Sequence, residues 1–319
     1  MPEVTGLTGE KKGQWLKIEL SVSPLLIDAL SNFLTEIGVP GAFQEELAPQ
    51  SPGDFGLSEK REVLKAYLPF DGRLEDRIAS LKIYLDSVSG LFPGMEEPRL
   101  SMEIVADQDW GEEWKKYFKP LRVSKNIVIK PTWERYTPAG RDIVIEIDPG
   151  MAFGTGQHPS TRMCLEAIED ILLKDRGIKK WRVLDVGTGT GILGISCAKL
   201  GAERVVCVDI DKKAAAIARE NAMINNVADR VEIINRDVNT INEPFDLIVA
   251  NLTAKILGRL GDHLMSLIEK DGYLVISGII EQNKADIESH FLKGTFAIHQ
   301  IITEKEWVCY VLQEKGNQP

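Results

Sequence analysis

One stretch near the middle of the chain joins a strand pattern, a glycine-rich turn, a helix pattern and a second strand pattern. Residues 181–211 read WRVLDVGTGTGILGISCAKLGAERVVCVDID. Gly187, Gly189 and Gly191 let the chain turn tightly and leave backbone amides open to a ligand, because glycine carries no side chain. Units of this kind build parallel sheets with helices on both faces. The stretch therefore predicts a doubly wound α/β fold that binds a ligand at the glycine turn.

The part of the chain around this unit repeats the same alternation. Strand patterns are expected at 181–186, 203–209, 231–236, 245–250 and 272–277, with helical patterns between them. The end differs, because TFAIHQIITEKEWVCYVLQ places two strand patterns around a turn with no helix between them. We therefore predict a parallel sheet that ends in an antiparallel hairpin.

The first hundred residues follow another order. Four strand patterns and two helical patterns alternate there as βαββαβ, from QWLKIELSV to RLSMEIVAD. This order predicts a small ferredoxin-like α+β domain. The chain is thus expected to comprise this domain at 1–105, a connector with a linker helix at 106–130, and the α/β domain at 131–319.

The charge of the chain restricts its partners. The net charge is −10, and residues 1–120 hold 13 Lys and Arg against 21 Asp and Glu. Direct binding of nucleic acid is not expected, because that binding relies on clustered basic residues. An acidic front region suits a basic partner, although a solvated acidic surface explains the same composition.

The distribution of cysteine, histidine and apolar residues bears on metal binding and on contact with membranes. The four cysteines and four histidines are scattered without ligand spacing, so no metal site is expected. The first residues lack the apolar core of a signal peptide, and no apolar run reaches the roughly eighteen residues of a membrane span. We therefore expect a cytoplasmic protein without membrane contacts, acting as a monomer.

Polar residues follow the predicted strands of the α/β region at the points where ligands bind. Asp185 precedes the first glycine by two residues, where its charge would repel a pyrophosphate and attract a cationic cofactor. Asp209 ends the next strand and suits ribose hydroxyls. Asp237 suits an adenine edge at the third strand, or else caps a turn. Asn251 follows the fourth strand, where its carbonyl can accept a hydrogen bond from a substrate N–H.

Together with the terminal hairpin, these residues resemble the class I S-adenosylmethionine-dependent methyltransferases. Within that group the chain is similar to the ribosomal protein L11 methyltransferase (PrmA) family over nearly its whole length. The most specific segments are DWGEEWKKYFKPLRVSKNIVIKPTWE and AFGTGQHPST. The resemblance implies a seven-stranded sheet, S-adenosylmethionine as cofactor, and methylation of α- and ε-amino groups on ribosomal protein L11, which the small domain would grip.

The AFGTGQHPST loop is predicted to form a lid over the methionine end of the cofactor. Phe153 would supply apolar cover, Gly154 and Gly156 close approach, and Thr155 a hydroxyl group. His158 is a candidate general base, because its pKa suits proton transfer. It is equally a turn residue that fixes the loop before Pro159.

Some details depart from the family pattern, and several functions compete with methyl transfer to L11. Thr188 and Thr190 stand where the family often has cysteine and serine, and Thr253 varies beside Asn251. A nicotinamide-dependent oxidoreductase would explain the overlapping GxGxxG of the glycine turn, although Asp185 and the hairpin oppose it. A binding protein without catalysis would keep the same fold, and a methyltransferase for another protein or a small amine would keep the same chemistry.

Overall fold

The computed structural model describes most of the chain. The described residues are 14–23, 26–27, 30, 33–34, 37, 39, 42–45, 62–69, 71–91, 97–106, 118–148, 156–174, 179–292 and 294–315. The chain divides into two compact units, Met1–Tyr117 and Phe118–Pro319. The predicted boundaries at 105 and 130 stay predictions, and the described end of the predicted connector, 118–130, belongs to the second unit.

The first unit contains a four-stranded antiparallel sheet and a helix. Its elements are β1 (Gln14–Val22), β2 (Ala42–Glu45), β3 (Glu62–Pro69), α1 (Leu74–Leu91) and β4 (Arg99–Ala106). The sheet order is β2-β3-β1-β4, as a βαββαβ chain requires when its strands alternate in direction. Alternate residues of β1, namely Leu16, Ile18 and Leu20, are fully buried in its core. The first predicted helix lies partly outside the described residues.

A small sheet opens the second unit, and the sequence patterns did not predict it. Its strands are β5 (Leu121–Arg122), β6 (Ile127–Lys130) and β7 (Ile143–Glu146). Asn225 fastens β7, because its Nδ2 donates to the Glu146 carbonyl at 2.7 Å while its Oδ1 accepts from the Glu146 amide at 2.9 Å. Residues 107–117, which hold most of the predicted linker helix, lie outside the described residues, and residues 118–120 are not helical.

The large sheet of the second unit has seven strands in the order β10-β9-β8-β11-β12-β14-β13. The strands are β8 (Arg182–Val186), β9 (Arg204–Asp209), β10 (Val231–Asn235), β11 (Phe245–Asn251), β12 (Ile268–Ile280), β13 (Phe296–Glu304) and β14 (Trp307–Glu314). The helices are α2 (Pro159–Lys174), α3 (Ile192–Lys199), α4 (Lys212–Ile224), α5 (Ala254–Ser266) and α6 (Lys284–Phe291). β14 runs antiparallel to both of its neighbours, so the predicted α/β sheet with a terminal hairpin is confirmed.

Both faces of the large sheet are covered, which explains why its strands are apolar along their length. Val183 of β8 lies in one core and Leu184 in the core on the opposite face. This alternation places Asp185 on the same face as Val183, beneath α3. All four cysteines are buried and free. No helix in the described part of the chain is long and apolar enough to cross a membrane.

Candidate functional site

The glycine turn between β8 and α3 has a left-handed backbone conformation, which favours glycine, at three positions. Gly187, Gly189 and Gly191 have φ angles of 68°, 55° and 84°. A Cβ on Gly191 would lie 3.3 Å from the backbone of Ala218 in α4. The turn therefore packs against the next helix unit. The Gly187 and Thr188 amides donate to the Val208 carbonyl oxygen, so the predicted binding of a ligand by backbone amides of the turn stays a prediction.

Asp185 lies beneath this turn rather than on its open side. The residue is 1% exposed, and its Oδ2 accepts hydrogen bonds from Thr188 Oγ1 at 2.5 Å and the Gly194 amide at 3.0 Å. Its Oδ1 is buried without a hydrogen-bond partner. Burial raises the pKa of the carboxyl to about 6, although the bonds from Thr188 and Gly194 oppose the shift. Asp185 thus fixes the turn and places a buried negative charge directly under it.

Asp209, at the end of β9, contacts the same turn from the neighbouring strand. Its Oδ2 accepts from the Gly189 amide at 3.0 Å, and its Oδ1 accepts from the Asp211 amide at 2.9 Å. The next residue, Ile210, is 80% exposed, although it follows a buried strand. An apolar side chain beside a carboxylate offers a flat surface for a base next to an acceptor for ribose hydroxyls. The sequence predictions did not include Ile210. An apolar residue between two aspartates, in the run DID, was the signal that could have identified it.

Asp237 lies just after β10 and is exposed. Its side chain accepts from the Asn239 amide at 2.9 Å and so caps a short 3-10 helix, Val238–Thr240. The capping role therefore has a direct contact in its favour. The adenine contact of Asp237 stays a prediction.

Asn251 ends β11 and lies beside the glycine turn. A Cβ on Gly187 would lie 2.6 Å from Leu252 Cδ2, so the residue after Asn251 packs directly on that turn. On β12, Gly278 has a φ of 82°, and a Cβ there would lie 2.5 Å from the Leu252 carbonyl oxygen and 3.1 Å from Asn251 Oδ1. Two carbonyl oxygens, here called the carbonyl pair, therefore lie against Gly278, too close to admit a side chain at that position. Neither Leu252 nor Gly278 was predicted, because the pairing of β11 with β12 brings them together.

His158 lies at the start of α2. Its Nδ1 accepts from the Ser160 amide at 3.2 Å and lies 2.6 Å from Ser160 Oγ. Its carbonyl oxygen accepts from the amides of Thr161 and Arg162, both at 3.1 Å. These are the contacts of a helix N-cap, with Pro159 in the first position of the helix. They support the prediction that His158 fixes the turn, and its role as a base stays a prediction.

The predicted lid is described only at its end. Phe153, Gly154 and Thr155 lie outside the described residues. Gly156 has a φ of 81°, and a Cβ there would overlap Ile129 Cδ1 of the small sheet. Gly156 therefore packs against Ile129 of β6. The predicted approach of Gly156 to a ligand stays a prediction.

The large sheet explains how distant residues of the sequence come together. β9, β8, β11 and β12 are successive neighbours, so their carboxyl ends form one continuous edge. Along that edge lie the Asp209 carboxylate, the glycine turn above Asp185, and the carbonyl pair beside Gly278. Among the described residues, no cluster of His, Cys, Asp or Glu could hold a metal ion.

Comparisons with known proteins agree over most of the chain. Residues 14–315 match the family model described as ribosomal protein L11 methyltransferase (PrmA). A protein named ribosomal protein L11 methyltransferase from Geotalea daltonii is 37% identical over 93% of this chain and 97% of its own. The namesake from Geobacter sulfurreducens is 36% identical, over 95% and 99% of the two chains.

A solved structure is also similar. The crystal structure of the ribosomal protein L11 methylase from Lactobacillus delbrueckii subsp. bulgaricus is 32% identical, with a TM-score of 0.56. The match covers 62% of this chain and 100% of that chain.

The buried charge of Asp185 predicts a specific effect of Asp185→Asn. An amide oxygen can still accept from Thr188 and Gly194, but it carries no charge. Folding raises the pKa of the Asp185 carboxyl from 3.8 to about 6, so the free energy of unfolding of the wild type falls as the pH rises between these two values. Above the folded pKa, the ionised carboxylate destabilises the wild type by on the order of 3 kcal/mol. The variant should therefore gain up to that amount in free energy of unfolding at pH 7.5, and little at pH 4, in urea titrations.

Asp237→Asn is the matched control, because it removes an exposed carboxylate and keeps a capping side chain. Its stability should follow that of the wild type at both pH values. A loss of stability in Asp185→Asn that is equally large at pH 4 and pH 7.5 would contradict the buried-charge interpretation.

Proposed function

Since the chain belongs to the ribosomal protein L11 methyltransferase family, we propose that it transfers methyl groups from S-adenosylmethionine to lysine ε-amino and N-terminal α-amino groups of ribosomal protein L11. One observation carries the choice of an amine as the methyl acceptor. Asn251 Oδ1 and the Leu252 carbonyl oxygen both lie close to Gly278, since a Cβ there would lie 3.1 Å and 2.5 Å from them, and Leu252 packs on the glycine turn. Two neighbouring hydrogen-bond acceptors beside the glycine turn suit a substrate group with N–H donors, such as an amine.

The carboxyl edge of the sheet suits S-adenosylmethionine. Ile210 and Asp209 provide an apolar surface and a carboxylate for the adenine and ribose, and Asp237 lies at the next strand. Asp185 provides negative charge beneath the glycine turn, opposite to what a pyrophosphate would require. When bound, the cofactor supplies an electrophilic methyl group on a cationic sulfur. Contacts from Phe153, Gly154, Thr155 and Gly156 to the cofactor belong to the same proposal.

The acceptor amine has to lose a proton before it can attack. At pH 7 a lysine with a pKa near 10.4 is neutral about once in a few thousand molecules, a cost of about 4.6 kcal/mol. A partly dry site lowers the pKa of an amine, because burial disfavours the charged form. Buried apolar residues at the ends of the strands, such as Val186 and Ala250, exclude water around this edge.

The carbonyl pair can orient the neutral amine once the amine has lost its proton. A neutral primary amine has two N–H donors and one lone pair, whereas an ammonium group has three donors. Asn251 Oδ1 and the Leu252 oxygen can accept the two N–H groups, which leaves the lone pair free to face the methyl group. Alignment of this kind supplies much of the rate of a one-step displacement. We therefore propose Asn251 as the residue that contacts the reacting nitrogen.

His158 has a different role in this proposal. Its Nδ1 accepts from the backbone of Ser160, and its ring packs edge-on against Trp307 with centroids 4.7 Å apart. We propose that it caps α2 and holds the turn, so that proton loss relies on burial of the amine.

The acidic composition of the front region supports a basic ribosomal protein as the substrate. Residues 1–120 carry most of the net charge of −10. On the described surface, Glu75, Asp76 and Asp86 of α1 are all exposed. Opposite charge accelerates the encounter of two proteins and helps to orient them. A substrate that belongs to the ribosome would place the enzyme in the cytoplasm.

The competing functions are less well supported. An oxidoreductase would bind the pyrophosphate of a nicotinamide cofactor at the glycine turn, next to the charge of Asp185. The match to the ribosomal protein L11 methyltransferase family also argues against an oxidoreductase. Another amine would suit the carbonyl pair equally well, and the family and the acidic front region favour ribosomal protein L11.

Transfer of a labelled methyl group tests the proposal. Purified protein with labelled S-adenosylmethionine should modify lysine and N-terminal amines of unmethylated L11, located by mass spectrometry. In thermal shift, S-adenosylhomocysteine should stabilise the protein and NAD should not. Gly278→Ala should lose methyl transfer, because its Cβ would lie 2.5 Å from the Leu252 carbonyl oxygen and would force that backbone and the Asn251 side chain to shift. Stabilisation by NAD alone, or no label on L11, would reject the proposal.

Replacement of His158 by asparagine separates capping from base catalysis. Asparagine is a good N-cap but cannot act as a base near neutral pH. His158→Asn should therefore keep kcat within about threefold of the wild type, whereas base catalysis contributes about a hundredfold or more. His158→Ala is the comparison, because it lacks both functions. A large loss of kcat in His158→Asn with an unchanged Tm would make His158 the base.

A further inference from the structure

We propose that Lys174, His299 and Lys315 form a binding site for a dianionic phosphate group at the end of the large sheet opposite the glycine turn. Lys174 ends α2, and His299 lies on the edge strand β13. The Lys174 Nζ atom is 3.4 Å from His299 Nε2. Lys315 directly follows β14, and all three residues are exposed. The proposed methyl transfer uses none of them.

This place lies apart from the candidate functional site. Asn251 and the glycine turn lie at the carboxyl ends of the parallel strands, whereas β14 runs antiparallel and brings Lys315 to their amino ends. α2 contains 16 residues between Pro159 and Lys174, which corresponds to a length of about 24 Å. A phosphate group at Lys174 would therefore be too distant to contact the carbonyl pair, so the proposal does not depend on methyl transfer.

The pairing of β13 with β14 brings the basic residues to one face. The register shifts at His299, which is therefore the extra residue of a β-bulge, and bulges re-aim side chains. On β14, odd-numbered residues lie in the core beneath α2 and even-numbered residues in the opposite core. Gln313 and Lys315 thus lie on the face of α2, and Glu314 on the other face.

The surroundings of His299 favour its neutral form. Its ring packs edge-on against Tyr273, with centroids 5.2 Å apart. Partial burial lowers the pKa of His299, and the positive charges of Lys174 and Lys315 lower it further, although a hydrogen bond with Gln313 raises it. The ring therefore lies in the field of both ammonium groups.

Lys174 and Lys315 differ from the two lysines that precede β8. Lys179 pairs with Asp246 at 3.1 Å, and Lys180 pairs with Glu203 at 2.7 Å. Within the part of the chain that the structure describes, no carboxylate lies within 4.0 Å of the ammonium group of Lys174 or Lys315. Two like charges beside one ring repel each other, and an anion between them would remove this repulsion.

A phosphate dianion matches this arrangement in charge and in acceptors. It has three acceptor oxygens, one for each ammonium group and one for the protonated ring of His299. The two ammonium charges outweigh the partial negative charge at the end of α2, which is about half an elementary charge. A carboxylate has one charge and two oxygens, so it would leave one donor without an acceptor.

The same phosphate chemistry could come from free phosphate or from the terminal phosphate of a nucleotide. An extended nucleic acid is a poorer match, because the chain has a net charge of −10.

The ring of His299 can report phosphate binding directly. In NMR titrations of the full chain at fixed ionic strength, inorganic phosphate should shift the His299 ring signals saturably. It should also raise the pKa of His299 by about one unit or more, because a nearby opposite charge favours the protonated ring. Acetate should do neither, and His263 should not respond to either anion. Uridine 5′-monophosphate that binds more tightly than phosphate identifies a nucleotide as the source, and equal or weaker binding identifies free phosphate.

Two lysine variants form a matched pair for the same titration. Lys174→Met and Lys180→Met each remove one exposed ammonium group, but Lys180 pairs with Glu203. Lys174→Met should weaken phosphate binding about tenfold or more, because a hydrogen bond to a charged group is lost. Lys180→Met should change it less than about twofold, and both variants should keep the Tm of the wild type. Unsaturable shifts, an equal response to acetate, or unchanged affinity in Lys174→Met would overturn the proposal.

Discussion

The carboxylate of Asp185 lies enclosed beneath the glycine turn, where one of its oxygens accepts from Thr188 and Gly194. A buried charge of this kind weakens the folded state, which appears as the raised pKa of its carboxyl. The same bonds hold the turn in one conformation. They also keep a negative charge within a few ångströms of the ligand edge. In the proposed function, this loss of stability accompanies a negative charge beneath the turn that would favour a cationic cofactor.

The order of the strands extends this local arrangement into a complete site. Because β8 lies between β9 and β11, the turn above Asp185 has Asp209 on one side and Asn251 on the other. β12 then adds Gly278, which lies against two carbonyl oxygens. In the proposed function, cofactor and acceptor would occupy neighbouring lengths of one sheet edge. An in-line displacement requires this proximity of its two reactants.

Much of the fold could be predicted from the sequence, because strand and helix patterns of the second unit are long and regular. The terminal hairpin was also predicted, from two strand patterns without a helix between them. The β5–β7 sheet was not, because its strands are two to four residues long and lie between turns. Short strands carry too few alternating residues to give a pattern.

The candidate site could be predicted only where a residue and its role lie in one motif. The glycine turn and Asp209 belong to this group, and the structure brings them into contact. Leu252 and Gly278 were missed, because only the pairing between β11 and β12 brings them together beside Asn251. The interior position of Asp185 could not be predicted from the sequence either. A strand pattern gives the face on which a residue lies but not the hydrogen bonds that its side chain accepts.

A crystal structure of the protein with S-adenosylhomocysteine and a lysine-containing segment of L11 is the most direct test of the proposed chemistry. We predict that the lysine nitrogen lies within hydrogen-bond distance of Asn251 Oδ1 and the Leu252 oxygen, with the ribose hydroxyls on Asp209. A lysine nitrogen bound to His158 and remote from the carbonyl pair, or a ribose remote from Asp209, would contradict it.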